Sequence, residues 1–141
     1  MLSQAVGYAA SALGYVASAE GKPVLVREIA EACGIPAPYL SKIIHTLARQ
    51  GLVVTQRGVG GGVVLARDPE SISLYDLCRA LGDCAAEDRC MLGTAACSDR
   101  RSCPAHEFWS AHREKLLEFL RKTSVAEIGA FESRLRTEES G

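Results

Sequence analysis

Four cysteines fall within one twenty-residue stretch of this 141-residue chain: Cys84, Cys90, Cys97 and Cys103, with His106 three positions further on. Thiolates are soft ligands that select zinc, copper(I) or iron–sulfur clusters. Zinc sites usually present Cys-x-x-Cys pairs, because a tight loop offers two sulfurs to one small ion. The spacing here is Cys84-x5-Cys90-x6-Cys97-x5-Cys103-x2-His106. It contains no such pair and suits a loop wrapped around a larger object, such as a cluster. Cys103 and His106 bracket the expected start of a helix, where the dipole favours a thiolate. The remaining cysteines, Cys33 and Cys78, sit on apolar faces and read as core residues. Cys84 reads as a spare thiol rather than a ligand.

Composition limits the chemistry around this cluster. Six cysteines in 141 residues are too few for a disulfide-built mini-protein. Residues 1–19 contain no Lys or Arg, so no secretory signal is expected. That stretch is apolar but broken by Ser3, Gln4, Gly7, Ser11, Gly14 and Ser18, which makes it a poor membrane span and a plausible packing helix. A cytoplasmic protein is expected, with reduced thiols committed to metal or redox work. The formal net charge of −1 argues against strong nonspecific nucleic-acid binding. The charge is uneven, however: residues 1–67 balance to +3 and residues 68–141 to −4. The N-terminal half is therefore the side suited to an anionic partner.

The elements that must position these residues follow from periodicity. Leu2, Val6, Ala9, Leu13 and Val16 recur at helical spacing and predict a first helix over about 2–19. Gly21 and Pro23 break it. A second helix is expected over about 26–33, a turn at Gly34, and a third helix over about 37–50 with Leu40, Ile43, Ile44 and Leu47 inward. The pattern then changes. The β-branched runs 52–55 and 63–65 read as strands, joined by the glycine-rich turn Gln56-Arg57-Gly58-Val59-Gly60-Gly61-Gly62. Ser73 caps a fourth helix to about Leu81. Residues 82–103 lack periodicity, which in a small protein marks a functional or tethered segment. Pro104 is placed at the first position of a fifth helix reaching about Lys122. Trp109, His112, Leu116 and Phe119 form a seam on it. A last helix over about 125–136 precedes a polar tail expected to fray.

Two short helices joined at a glycine and followed by a two-stranded hairpin make a DNA-reading unit. The third helix is narrow enough for the major groove. Its first turns present Pro38, Tyr39, Ser41 and Lys42, with His45 one turn on. Tyr39 and Ser41 can donate to phosphate, and Lys42 can reach phosphate or a guanine edge. Gly58 and Gly60 let the hairpin backbone approach DNA, and Arg57 suits the narrow, electronegative minor groove. The bland alternatives are a protein-docking helix-turn-helix and a Tyr39 that is merely a partly buried aromatic. The glycine run lacks a following Lys-Ser or Lys-Thr and is no phosphate-binding loop. No paired acid and base and no nucleophile motif point to an enzyme.

The opening Met-Leu-Ser-Gln, the segments Tyr39-Leu40-Ser41-Lys42-Ile43, Gly51-Leu52-Val53, Arg57 to Gly62, Asp68-Pro69 and Leu74-Tyr75-Asp76, and the run Cys103-Pro104-Ala105-His106-Glu107-Phe108-Trp109 together resemble the Rrf2 family of bacterial regulators. The likeness spans roughly residues 1–135. It implies a mainly α fold with a small β-hairpin wing: a winged helix-turn-helix over 1–81, a cysteine-rich sensor loop over 82–103, and a dimerisation helix with a final helix over 104–141. It further implies a homodimer, joined through the fifth helix, that binds palindromic double-stranded promoter DNA. His112, in the seam, would lie at that dimer interface. Cluster-binding members use three loop cysteines, which map onto Cys90, Cys97 and Cys103, and some add a histidine, matched by His106. The implied cofactor is an iron–sulfur cluster, with 2Fe–2S favoured and 4Fe–4S the alternative. Other members are cluster-free, which leaves a thiol- or small-molecule-responsive regulator as the alternative. A redox or metal carrier that uses the helix-turn-helix for docking is the rival from another class.

Overall fold

The computed structural model describes residues 1–83, 91, 92, 100 and 103–141. Helix α1 spans Gln4–Ser18 and is capped by Ser3, whose hydroxyl accepts the Val6 N–H at 3.3 Å. Its buried residues, Val6, Ala9, Ala10, Ala12, Leu13, Gly14 and Val16, occupy most of its circumference. That is the pattern of a helix packed on several sides rather than one. α2 (Val26–Cys33) ends at Gly34, whose φ of 66° supplies the left-handed cap. α3 (Ala37–Arg49) follows after two residues and buries Leu40, Ile43, Ile44 and Leu47 against α1 and α2.

The wing is an antiparallel pair, β1 (Val53–Gln56) and β2 (Gly62–Leu65), in the register Val53↔Leu65 to Gln56↔Gly62. Val24, in the connection before α2, adds a short third rung. It exchanges both backbone hydrogen bonds with Val63, at 3.0 and 2.7 Å. Gly62 permits that approach: at φ 145°, a Cβ there would stand 2.7 Å from the Val24 carbonyl. The base of the wing is thereby fixed to the helix-turn-helix.

A 3-10 turn at Pro69–Ser71 leads into α4 (Leu74–Ala80). Helices α5 (His106–Lys122) and α6 (Val125–Ser140) complete the described chain. α4 and α6 both start with reciprocal capping boxes, Ser73 with Asp76 and Ser124 with Glu127. The two starts are also stitched together, Leu74 N–H donating to the Thr123 carbonyl at 2.9 Å and Val125 N–H to that of Ile72 at 2.8 Å. α1 and α6 make the most extensive helix–helix contact in the fold. At their crossing Gly14 faces Gly129, and a Cβ on Gly129 would lie 2.8 Å from the Gly14 carbonyl oxygen. Leu120 and Val125 belong to the same apolar core as α1 and α3. Among the described residues no helix is long and apolar enough to cross a membrane.

Two boundaries differ from expectation. Pro104 and Ala105 form a turn, closed by His106 N–H donating to the Cys103 carbonyl at 3.0 Å, so α5 begins at His106. Within the chain, Leu117 and Leu120 anchor α5, and His112 and Phe119 of the expected seam are exposed. The C-terminal tail is helical to Ser140 rather than frayed. There the Arg136 guanidinium lies 4.9 Å from the centre of the Tyr15 ring and ties the late turns of α6 to α1.

Candidate nucleic-acid interface and cysteine site

The α2–Gly34–α3 unit holds the expected groove-reading residues on one open surface. Buried Leu40, Ile43, Ile44 and Leu47 fix the rotation of α3. Pro38, Tyr39, Ser41, Lys42 and His45 are consequently all exposed. Tyr39 is 38% exposed and meets Tyr8 of α1 edge-on, with ring centroids 5.6 Å apart. One edge of the ring therefore packs on α1, while the residue stays solvent-accessible. Arg57 follows the last residue of β1, and Arg57, Gly58 and Gly60 are exposed in the wing turn. Exposed Arg49 follows His45 by one turn and prolongs the Lys42–His45 stripe toward the C-terminal end of α3. The i, i+3, i+7 spacing of Lys42, His45 and Arg49 carried that signal in the sequence.

Of the four expected metal ligands, Cys103 and His106 are described, while Cys90 and Cys97, like Cys84, lie outside the described residues. Cys103 is a half-buried free thiol, and His106 opens α5 as a half-buried residue. One turn of backbone holds the two together, through the 3.0 Å bond between the His106 N–H and the Cys103 carbonyl. A thiol and an imidazole so close in the chain, at the start of a seventeen-residue helix, suit a soft metal or cluster. Among the described residues, no three His, Cys, Asp or Glu side chains converge on one point.

Cys78 is fully buried core, as expected. Cys33 is only partly buried, at the junction of α2 with α1, its sulfur 3.7 Å from the Ser11 carbonyl. Burial pushes its thiol above the usual range and the Glu132 carboxylate adds to this, while Arg136 opposes it. A raised pKa leaves less thiolate at neutral pH. Native Cys33 is therefore expected to alkylate several-fold more slowly than in the urea-unfolded chain, with a rate that rises into the alkaline range. Peptide mass spectrometry after timed iodoacetamide pulses reads this directly, and equal rates would contradict it.

Sequence reasoning passed over Asp83. It is the buried charged side chain of the described chain, 8% exposed, and its carboxylate accepts the Ser3 N–H at 2.8 Å. An isolated acid next to Cys84 carries no periodic signal. An open cleft of about 800 Å³, lined by Tyr15, Glu28 and Arg136 among others, contains none of the residues expected from sequence.

A buried α1, a helix-turn-helix and a hairpin tied back at Val24 define a winged helix-turn-helix protein. Residues 2–130 match the Rrf2 family, described as iron-dependent transcriptional regulators. The chain belongs to that family, and it is a DNA-binding transcriptional regulator rather than an enzyme. It is 33% identical over 122 residues to the HTH-type transcriptional regulator IscR of Klebsiella pneumoniae (strain 342), covering 86% of this chain and 74% of that one. The solved structure of T. potens IscR superposes with a TM-score of 0.71 at 27% identity, over 91% of this chain and 85% of that one. CymR, the global cysteine regulator of B. subtilis, superposes with a TM-score of 0.74 at 24% identity, over 93% and 97% of the two chains, and shares the fold.

Proposed function

We propose that the protein is a homodimeric regulator whose affinity for a palindromic promoter site is set by an iron–sulfur cluster. The observation that carries this reading is the pairing of Cys103 with His106 at the start of α5, in a chain whose exposed α3 face and wing suit DNA. Membership of a family described as iron-dependent supports it. Cys90, Cys97 and Cys103 would supply thiolates and His106 an imidazole. When bound, the cluster, of 2Fe–2S type in this reading, supplies a centre sensitive to oxidants, nitric oxide or iron supply. The protein's own residues do the rest. Lys42, His45 and Ser41 enter the major groove, Tyr39 and Pro38 border it, and Arg57 with Gly58 and Gly60 approaches the minor groove. On α5, Phe108 is 62% and Phe119 57% exposed, with His112 stacked on Phe108 at 5.6 Å. Such a surface calls for a cover, and a second copy across a two-fold axis would provide one. Dimer half-sites must lie about 34 Å apart, so a small change in dimer geometry changes affinity.

A second reading keeps the regulator and drops the cluster. The half-buried free thiol of Cys103 could then itself be the sensing group. Anaerobic purification separates the two. The cluster reading expects a coloured, iron-containing protein with a paramagnetic signal on reduction or oxidation, and a colourless, iron-free protein after reconstitution overturns it. Titration of a duplex from upstream of the protein's own gene tests the site. Absence of binding in every redox state overturns the promoter-site reading and favours a docking or carrier role.

A further inference from the structure

Tyr15 of α1 gathers two opposite charges around one ring. Its hydroxyl donates to the Glu28 carboxylate of α2 at 3.1 Å. The Arg136 guanidinium of α6 lies 4.9 Å from the centre of the ring. Among the described residues, no ion pair includes either Glu28 or Arg136. Glu132, one turn before Arg136, is instead engaged by the Ser11 hydroxyl at 2.8 Å. Arg136 makes one long hydrogen bond, 3.4 Å, to the Ser133 hydroxyl. Each charge therefore keeps bonding capacity that the chain does not use.

All three side chains line the open cleft of about 800 Å³ between the end of α1, the start of α2 and the late turns of α6. Ligand sites place a few convergent polar groups beside an aromatic or apolar wall. Here the wall is the Tyr15 ring, with an acid at its hydroxyl end and a guanidinium over its face. An anion alone would satisfy Arg136 and be repelled by Glu28, and a cation alone would meet the reverse. A molecule with both charges a few bonds apart satisfies both. Its carboxylate takes the planar guanidinium fork, and its ammonium faces Glu28. The position of the cleft links it to DNA binding. Glu28 lies in the first turn of α2, and Val24, also in the lining, pairs with Val63 of the wing. A ligand that bridges α6 to these residues touches the frame that carries α3.

We propose that this cleft is an effector site for a small zwitterion of the free amino-acid class, held between Arg136 and Glu28. The inference goes beyond the promoter reading above and is independent of what the cysteines hold. The test melts the whole chain, followed by circular dichroism, with the common amino acids added one at a time at about 10 mM. At least one should raise the thermal midpoint by about 3 °C or more. Its N-acetyl and carboxamide derivatives, each lacking one charge, should not. Glu28→Gln, which keeps an acceptor for the Tyr15 hydroxyl, and Arg136→Gln should each remove the shift. Arg136→Gln also loses the contact with the Tyr15 ring, so Glu28→Gln carries the test if that variant fails to fold. The same amino acid should change the affinity for a duplex selected by this protein from a random pool by about fivefold or more, read by fluorescence anisotropy. A midpoint that no amino acid moves overturns the site. A shift that persists in Glu28→Gln, or that a singly charged derivative reproduces, overturns the two-charge recognition. Binding that changes DNA affinity by less than about fivefold overturns the effector role.

Discussion

Gly129→Ala lowers the stability of this protein by about 1–3 kcal/mol, the cost of overpacking a tight contact. The sign is informative, because Gly→Ala inside a helix ordinarily stabilises by roughly 0.5–1 kcal/mol through backbone entropy. At the α1–α6 crossing the added methyl would sit 2.8 Å from the Gly14 carbonyl oxygen and 3.4 Å from the Gly14 Cα. Both are backbone atoms that no rotamer change can move aside, so the helices must separate. Gly7→Ala provides the control within α1, being exposed with nothing within 4 Å of the new Cβ. Its thermal midpoint should rise while that of Gly129→Ala falls, both followed by circular dichroism at one protein concentration, since assembly shifts the midpoint. A rise for both would mean that α6 does not close on α1 in solution.

Arg57→Ala is expected to weaken specific DNA binding by about ten- to a hundredfold, on the order of 1–3 kcal/mol, without altering the fold. Arg57 stands at the exit of β1 on an exposed turn, whose base is held by the Val24–Val63 rung. The side chain can be lost without touching the core. Its guanidinium would be worth most in a narrow minor groove, where the potential is most negative. Fluorescence anisotropy at several salt concentrations checks this: affinity falls, and the slope against log salt drops by about one. Unchanged affinity would remove the wing from the interface.

The winged unit was legible because its signals are local. Apolar residues at helical spacing named the buried face of α3, and by elimination its exposed one. Gly34 marked the left-handed turn, and β-branched runs marked the strands. The glycine-rich run between those strands named Arg57 as a turn residue. The α1–α6 crossing was not legible. Gly14 and Gly129 are far apart in the chain, and a glycine inside a helix carries no mark of the backbone it will touch. α5 shows how a correct element can still conceal its rotation. The sequence marked the seam Trp109, His112, Leu116 and Phe119 but not the neighbouring Leu117 and Leu120 that the core buries, beside which Leu116 packs. Leu117 and Leu120 flank that seam, and only packing shows which of these residues face the core. Pro104 suggested a helix start that a turn from Cys103 delays by two residues. The Cys103–His106 spacing was plain in the sequence, but the Asp83 contact with Ser3 was not, because a long-range hydrogen bond to a single acid leaves no pattern.

The stitching of Ile72 and Leu74 to Thr123 and Val125 gives α5 a mechanical character. Its C-terminal end is pinned by two backbone hydrogen bonds and by buried Leu117 and Leu120. At 1.5 Å per residue, its seventeen residues carry His106 about 25 Å from that fulcrum. α5 thus reaches from the DNA-binding unit to Cys103 and His106, in the manner of a lever. A swing of an ångström or two at Cys103 becomes a rotation of a few degrees at Thr123. If the proposed sensing chemistry sits at Cys103, its sensitivity depends on the stiffness of that pivot as well.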